Sequence, residues 1–297
     1  MYKNLFEVCG TKINVYAEGT GAYTIVFMAG SGITSPVFEY KSLYTKMSDS
    51  YKIAVVEKAG YGYSGKMAGK RSVKNLVTEY RLALLAAGVN PPYVLAPHSY
   101  SGIEAIWWAN TYPDEVKAVL GVDMVFPNMA LAQAKEISEY EKQIMLQKHR
   151  QRLLKIASGG ITAKLLEKYT VNASGLMSTN VLTDEEKKEY KRLFYANLLN
   201  DEFREETVMA TDNAVQAHET GILKCFGCFF ISSMKSPVKS ITWQDAGIQY
   251  ARQCGGEYFI TEAGHKLYTA IPDEMAATFK AFLKSKLGDS EKTYAVF

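Results

Sequence analysis

Short apolar runs of strand length, each followed by a turn of small residues and then a helix-like stretch, set the strongest constraint on what this chain can fold into. The runs are Tyr23–Met28, Tyr51–Val56, Tyr93–Ala96 and Val116–Asp123. Ser72–Ala87 and Gly102–Tyr112 carry helical periodicity between them, and Pro113 stops the second. Strands apolar on both faces belong inside a sheet that is covered on both sides, and parallel neighbours need a crossover that a helix supplies. The alternation therefore predicts an α/β fold, a mostly parallel sheet flanked by helices. Phe6–Glu18 and Tyr23–Met28 read as an opening hairpin with "EGTGAY" as its turn.

The pattern changes after Pro127. From Asn128 to about Ala217 the chain is helical in character, with "NASGLMSTN" as a helix connection and "LTDEEKKEYKRLF" opening on a cap-like Thr183 with acidic residues in the first turn. Strand character returns at Cys225–Ser232 and Glu257–Thr261, and Pro272–Leu287 reads as a closing amphipathic helix. This predicts a core formed by residues 1–126 and 219–297, with an all-helical cap inserted at 127–218.

Composition narrows the function. With 47% hydrophobic and 22% charged residues, the 297-residue chain can bury a real core. A net charge of +3 without a Lys/Arg cluster argues against nucleic acid, and no apolar run is long enough to span a membrane. "MYKNLFEVCGTKINVYAEG" has no apolar h-region, so no signal peptide is expected. Cys9, Cys225, Cys228 and Cys254 show no disulfide framework, which fits a reducing, cytoplasmic setting. Cys225-Phe-Gly-Cys228 has redox or metal spacing, but it runs into Phe229-Phe230-Ile231, so small buried strand residues are the expectation.

In open parallel sheets, ligands bind beyond the carboxyl ends of the strands. Ala29-Gly30-Ser31-Gly32, Glu57 to Ser64, the Ser99 turn, Asp123 and Thr261-Glu262-Ala263-Gly264-His265 all follow strand ends. A serine, an acid and a histidine thus fall there in that order. In "VLAPHSYSGIEA", Ser99 is either a nucleophile on a tight strand-to-helix turn or a serine capping a helix. The G-x-S-x-G pattern of such turns is replaced here by Pro97 and Ser101. Neither "AGSG" nor "GYGYSG" has phosphate-loop or dinucleotide spacing.

Taken together these segments resemble the α/β-hydrolases with a helical cap, over nearly the whole chain. "TIVFMAGSG" resembles the family's strand and oxyanion loop, with Ala29 in place of the usual His. "VVEKAGYGYS" resembles Asp-x-x-Gly-x-Gly-x-Ser, with Glu57 in the Asp place. "APHSYSG" resembles the nucleophile elbow, and "EAGHKLYTAIPDEM" the terminal segment carrying the catalytic histidine. The resemblance implies Ser99 as nucleophile, His265 as base, and the backbone N–H groups of Ser31 and Tyr100 as oxyanion donors. Among the other histidines, His98 is expected to point away from the pocket, His149 to lie on a solvated helix face, and His218 at most to touch substrate.

The acid is open at this point. The loop after the cap, Ser232-Ser233-Met234-Lys235-Ser236-Pro237, where the family usually carries it, has no carboxylate. Asp123 at the preceding strand end and Asp245 in "TWQDAG" are the alternatives, with Asp123 preferred. The implied reaction is acyl transfer on a small, partly apolar ester or related acyl substrate, with no cofactor and no metal; a serine at the turn argues against dehalogenase or epoxide hydrolase chemistry. An aminopeptidase resembling proline iminopeptidases would need cap carboxylates for a substrate amine, from Glu139, Glu141 or Asp212. A non-catalytic ligand-binding scaffold is the remaining alternative. Trp107 and Trp108 read as core. Oligomeric state is not legible.

Overall fold

The computed structural model describes residues 2–67, 69–159 and 171–288, without the side chains of Glu139, His149 and Arg152. Eight strands form one sheet in the order β1-β2-β4-β3-β5-β6-β7-β8. They are β1 Leu5–Val8, β2 Thr11–Glu18, β3 Thr24–Met28, β4 Lys52–Glu57, β5 Tyr93–Pro97, β6 Val116–Val122, β7 Phe226–Ile231 and β8 Glu257–Ile260. β1 and β2 run antiparallel to their neighbours, and every pairing from β4 onward along the sheet is parallel.

The opening hairpin differs from the expected one. It joins β1 to β2 through Cys9 and Gly10, both with φ in the left-handed region (49° and 80°). Consecutive positive φ values are what a tight two-residue hairpin turn requires. "EGTGAY" instead carries the chain away from β2, because β3 pairs with β4 and β5 in the sheet interior. β3 is buried at every position, which suits a central parallel strand better than a hairpin arm.

Alternate strand residues feed two apolar clusters, one on each face of the sheet. Ile25 and Phe27 join one with Val37 of α1 (Pro36–Glu39), Tyr44 of α2 (Lys41–Tyr44), Leu267 of α11 (Leu267–Ala270) and Phe279; Val26 and Met28 join the other with helices α3 (Val73–Ala86) and α4 (Ser101–Thr111). Between β6 and β7 the described chain is helical: α5 Pro127–Glu136, α6 Glu139–Ala157, a 3₁₀ turn at Leu176–Ser178, α7 Asp184–Asn197, α8 Asp201–Val208 and α9 Ala210–Glu219. Ser138 with Glu141 and Thr183 with Glu186 close capping boxes on α6 and α7.

These helices are fastened to the core by buried polar groups. Glu206 of α8 meets Lys58 at 2.9 Å and Arg71 at 3.3 Å; Lys58 also meets Glu104 of α4 at 3.0 Å, and Arg71 meets Glu79 at 2.7 Å. Asn213 of α9 accepts from the Val73 N–H, and Asn200 donates to the Gly60 carbonyl. Within this network each charge meets one of opposite sign, which offsets the cost of burying it.

Candidate active site

Ser99 sits where β5 turns into α4. Its φ of 55° is left-handed, a conformation a side chain adopts only when the surroundings impose it. Those surroundings can be named. Ser99 O accepts from Val125 N at 2.7 Å, and the buried Ser101 Oγ accepts from His98 N at 3.0 Å while donating to Met28 O at 2.8 Å. A Cβ on Gly30 would lie 2.7 Å from both His98 O and Ser99 Cβ, and one on Gly102 would lie 2.4 Å from Val125 O. The two glycines let the loop after β3 and the segment after β6 close on the turn.

Ser99 does not cap α4: its Oγ lies 2.9 Å from His265 Nε2. His265 Nδ1 lies 2.5 Å from Asp123 Oδ2. The arrangement assigns the proton on Nδ1 to Asp123 and leaves Nε2 to accept from the serine. Asp123, like Ser99, has a left-handed φ, 47°, and is buried. Its carboxylate also accepts from Ser232 N (2.8 Å), Ser232 Oγ (2.7 Å) and Trp243 Nε1 (2.7 Å). The loop after β7, where the acid was sought, thus supplies donors to an acid that follows β6. Asp245 closes the cap of its own helix α10 (Trp243–Cys254) through Thr242, 2.6 Å away, and does not meet His265.

The sequence reading missed Ser232 and Trp243. Their only signal was position, Ser232 in the acid-free loop and Trp243 beside Asp245. His98, expected to point away from the pocket, packs against His265 and is not part of the wall of the cavity at Ser31 and Tyr100. His98 is buried, its ring centroid lies 4.7 Å from that of His265, and its Nε2 donates to the His265 carbonyl at 3.2 Å. Burial and then the neighbouring His265 and Lys266 hold its pKa well below the usual histidine value, so it is a neutral support for the His265 loop.

The Gly30 and Gly32 amides that flank Ser31 each lie 3.4 Å from a tyrosine hydroxyl (Tyr40 and Tyr61), whereas those of the two expected oxyanion donors, Ser31 and Tyr100, have no partner among the described residues. Ser31 and Tyr100 border a cavity of about 380 Å³ whose wall includes Ala130, Ile137, Leu146 and Val208. The Tyr100 hydroxyl donates to the Ala210 carbonyl, tying the turn to the inserted helices. Glu57 is wholly buried and accepts from Val37 N, Tyr63 N and Asn14 Nδ2 at 2.7–3.2 Å, so it organises the loops around the site rather than entering it. Desolvation pushes its pKa up to about 7.

The other residues considered lie elsewhere. His218 borders an exposed groove with Asn128 and Ser240. Glu141 spends its carboxylate on the α6 cap, Asp212 is exposed, and the side chains of Glu139 and His149 lie outside the described residues. Trp108 is core, with Nε1 on Glu115 at 2.9 Å. Cys225 and Cys228 are free; burial pushes the Cys225 thiol up to about 12 and raises Cys228 further, and no group of metal-ligating side chains exists among the described residues. No helix among them is long and apolar enough to cross a membrane.

No family model matches the chain. The uncharacterized protein YbdG of Bacillus subtilis (strain 168) is 36% identical over 211 residues, which cover 70% of this chain and 61% of YbdG. The uncharacterized protein YqjL of the same organism is 36% identical over 94 residues, covering 32% of this chain and 36% of YqjL. The chain therefore spans less than two thirds of the length of either relative. A haloalkane dehalogenase loop variant, DbeA-M1 from Bradyrhizobium elkanii, superposes with a TM-score of 0.65 at 14% identity and covers 97% of each chain. An epoxide hydrolase candidate from Pseudomonas aeruginosa gives 0.70 at 14% identity, again over 97% of each. A lipase candidate from Acinetobacter baumannii AYE gives 0.67 at 16% over 96% of this chain and 91% of that one.

Proposed function

We propose that this chain, which has the α/β-hydrolase fold, is a serine hydrolase that cleaves a small, partly apolar ester or related acyl substrate. The observation that carries the reading is the unbroken chain of hydrogen bonds from Ser99 Oγ through His265 to the buried Asp123 carboxylate. The dehalogenase and epoxide hydrolase neighbours support hydrolase chemistry in general, and the serine at the turn supports acyl transfer in particular.

The steps follow from the geometry. Ser99 Oγ attacks the substrate carbonyl as its proton passes to His265 Nε2. The imidazolium that forms is stabilised by the Asp123 carboxylate, which the Ser232 and Trp243 donors hold in place. Negative charge on the carbonyl oxygen is met by the Ser31 and Tyr100 N–H groups, which are not committed to the fold. His265 returns the proton to the leaving group, and water then cleaves the acyl-enzyme by the same relay. No step calls for a metal or cofactor. The free thiols support a reducing, cytoplasmic setting. Of the acids considered for a substrate amine, none with a described side chain lies in the cavity wall, which favours the ester reading over aminopeptidase action.

Labelling with a fluorophosphonate, mapped by mass spectrometry, tests this. An adduct on Ser99 is expected, slowing by about 10² to 10⁴ in Asp123→Asn, where the imidazole loses its orienting anion. A chain that folds yet takes no label at Ser99 is a ligand-binding scaffold instead. Labelling that is indifferent to Asp123→Asn removes Asp123 from the relay.

A further inference from the structure

A second cavity, of about 420 Å³, adjoins the one at the nucleophile. The two share Gln143, Leu146 and Phe203 in their walls, so they are compartments of one cleft divided at that seam. Phe203 lies against the oxyanion loop: a Cβ on Gly32 would sit 3.4 Å from its ring. The inner compartment is mainly apolar. The outer one carries Arg150 and Arg204 against a single carboxylate, Asp201.

Three other guanidiniums are tied to carboxylates, and a fourth, Arg252, donates to the Tyr258 hydroxyl at 3.4 Å. Arg71 and Arg81 each meet a glutamate, and even the exposed Arg192 holds Glu189 at 2.7 Å. Arg150 and Arg204 have no carboxylate partner among the described residues, and both face the cavity. A guanidinium presents a planar fork that matches a carboxylate. An alkyl chain entering this compartment would displace water from both cations and return nothing for it. On α6, Arg150 stands one helical turn, about 6 Å, beyond Leu146.

We infer that the outer compartment is an anion subsite, and that the substrate carries a carboxylate separated from its scissile carbonyl by an apolar spacer that passes the Leu146–Phe203 seam. The inference rests on the serine hydrolase reading for the reaction, though not for the binding. Either side of the ester could carry the acid, so the substrates compared are p-nitrophenyl hydrogen suberate, with the acid on the acyl side, and 8-acetoxyoctanoate, with the acid on the alcohol side. Each is paired with its methyl-capped neutral analogue.

The wild type should favour at least one acid-bearing ester over its neutral analogue in kcat/KM. That ratio should fall about tenfold or more in Arg150→Gln/Arg204→Gln, a charge-assisted pair being worth roughly that much. Calorimetry of suberate binding to Ser99→Ala at low salt should show binding that the same double substitution removes. Equal ratios for the wild type and the double variant, or suberate binding indifferent to the arginines, would overturn the inference while leaving the hydrolase reading intact. Arginine-dependent suberate binding in a chain whose Ser99 takes no acyl group would sustain the subsite and sink the hydrolase reading.

Discussion

At the scale of single residues, the site depends on two left-handed positions, Ser99 and Asp123, that face each other across His265. A strained φ persists only when neighbours fix it, and here the fixing contacts are local and specific. Trp243 is the most exposed to test, because its Nε1 supplies one of the donors to Asp123 Oδ1 and nothing else in the relay. Trp243→Phe keeps the ring beside His265 and deletes that bond. A hydrogen bond to a buried charge contributes about 1.5–3 kcal/mol, so kcat/KM for a reactive ester should drop about 10- to 100-fold with little change in KM. An unchanged kcat would mean that Ser232 alone holds the carboxylate. The grouping of Ser99 with His265 was legible through their strand-end positions and the family resemblance, whereas the acid stayed open between Asp123 and Asp245 until the fold brought Asp123 to His265. Ser232 and Trp243 were not legible, since any serine or tryptophan can donate a hydrogen bond and only the fold chooses which one does.

At the scale of elements, the cleft exists because α8 is held down on the core. Lys58, after β4, links Glu104 on α4 to Glu206 on α8, all three being nearly inaccessible to solvent. Removing one partner of such a group strands the others. Lys58→Met should cost about 3–5 kcal/mol in urea denaturation, because the buried Glu104 loses its cation and Glu206 is left with Arg71 alone. Adding Glu104→Gln should recover part of that loss by removing the stranded charge. Additive losses in the double variant would show that Lys58 acts through packing alone. Strand and helix positions were readable from periodicity and caps: Ser72 opens α3, Thr183 opens α7, and α12 (Pro272–Leu287) falls where its amphipathic pattern places it. The register of the first strands was not. Cys9 lacks the usual turn chemistry, and "EGTGAY" has it, so local propensity pointed to the wrong hairpin while the sheet interior claimed β3.

At the scale of the whole molecule, burial of acids sets how stability responds to pH. Glu57 is enclosed by the loops that follow β3 and β4, and desolvation outweighs its three donors, so its pKa rises from an ordinary carboxylate value to about 7. Glu104 moves the same way, chiefly through desolvation, despite Lys58. A carboxyl whose pKa is higher in the folded state binds protons more tightly there. Its contribution is therefore complete below the unfolded pKa, near 4.5, and is lost as pH rises through about 7. For Glu57 that amounts to about 3 kcal/mol across the window. Surface acids such as Glu189, held low first by its bond to Arg192, act in the opposite sense at lower pH, but as exposed pairs they contribute little. Glu57→Gln separates the two effects. The amide places a donor among donors, which lowers stability by an offset independent of pH, whereas the titration disappears. Urea denaturation at pH 5 and pH 8 should thus show the wild type losing about 2–3 kcal/mol more than Glu57→Gln between those two conditions. Parallel pH profiles for the two proteins would mean that the three donors keep Glu57 ionised throughout, and that the loops around the site close on a carboxylate rather than on a carboxylic acid.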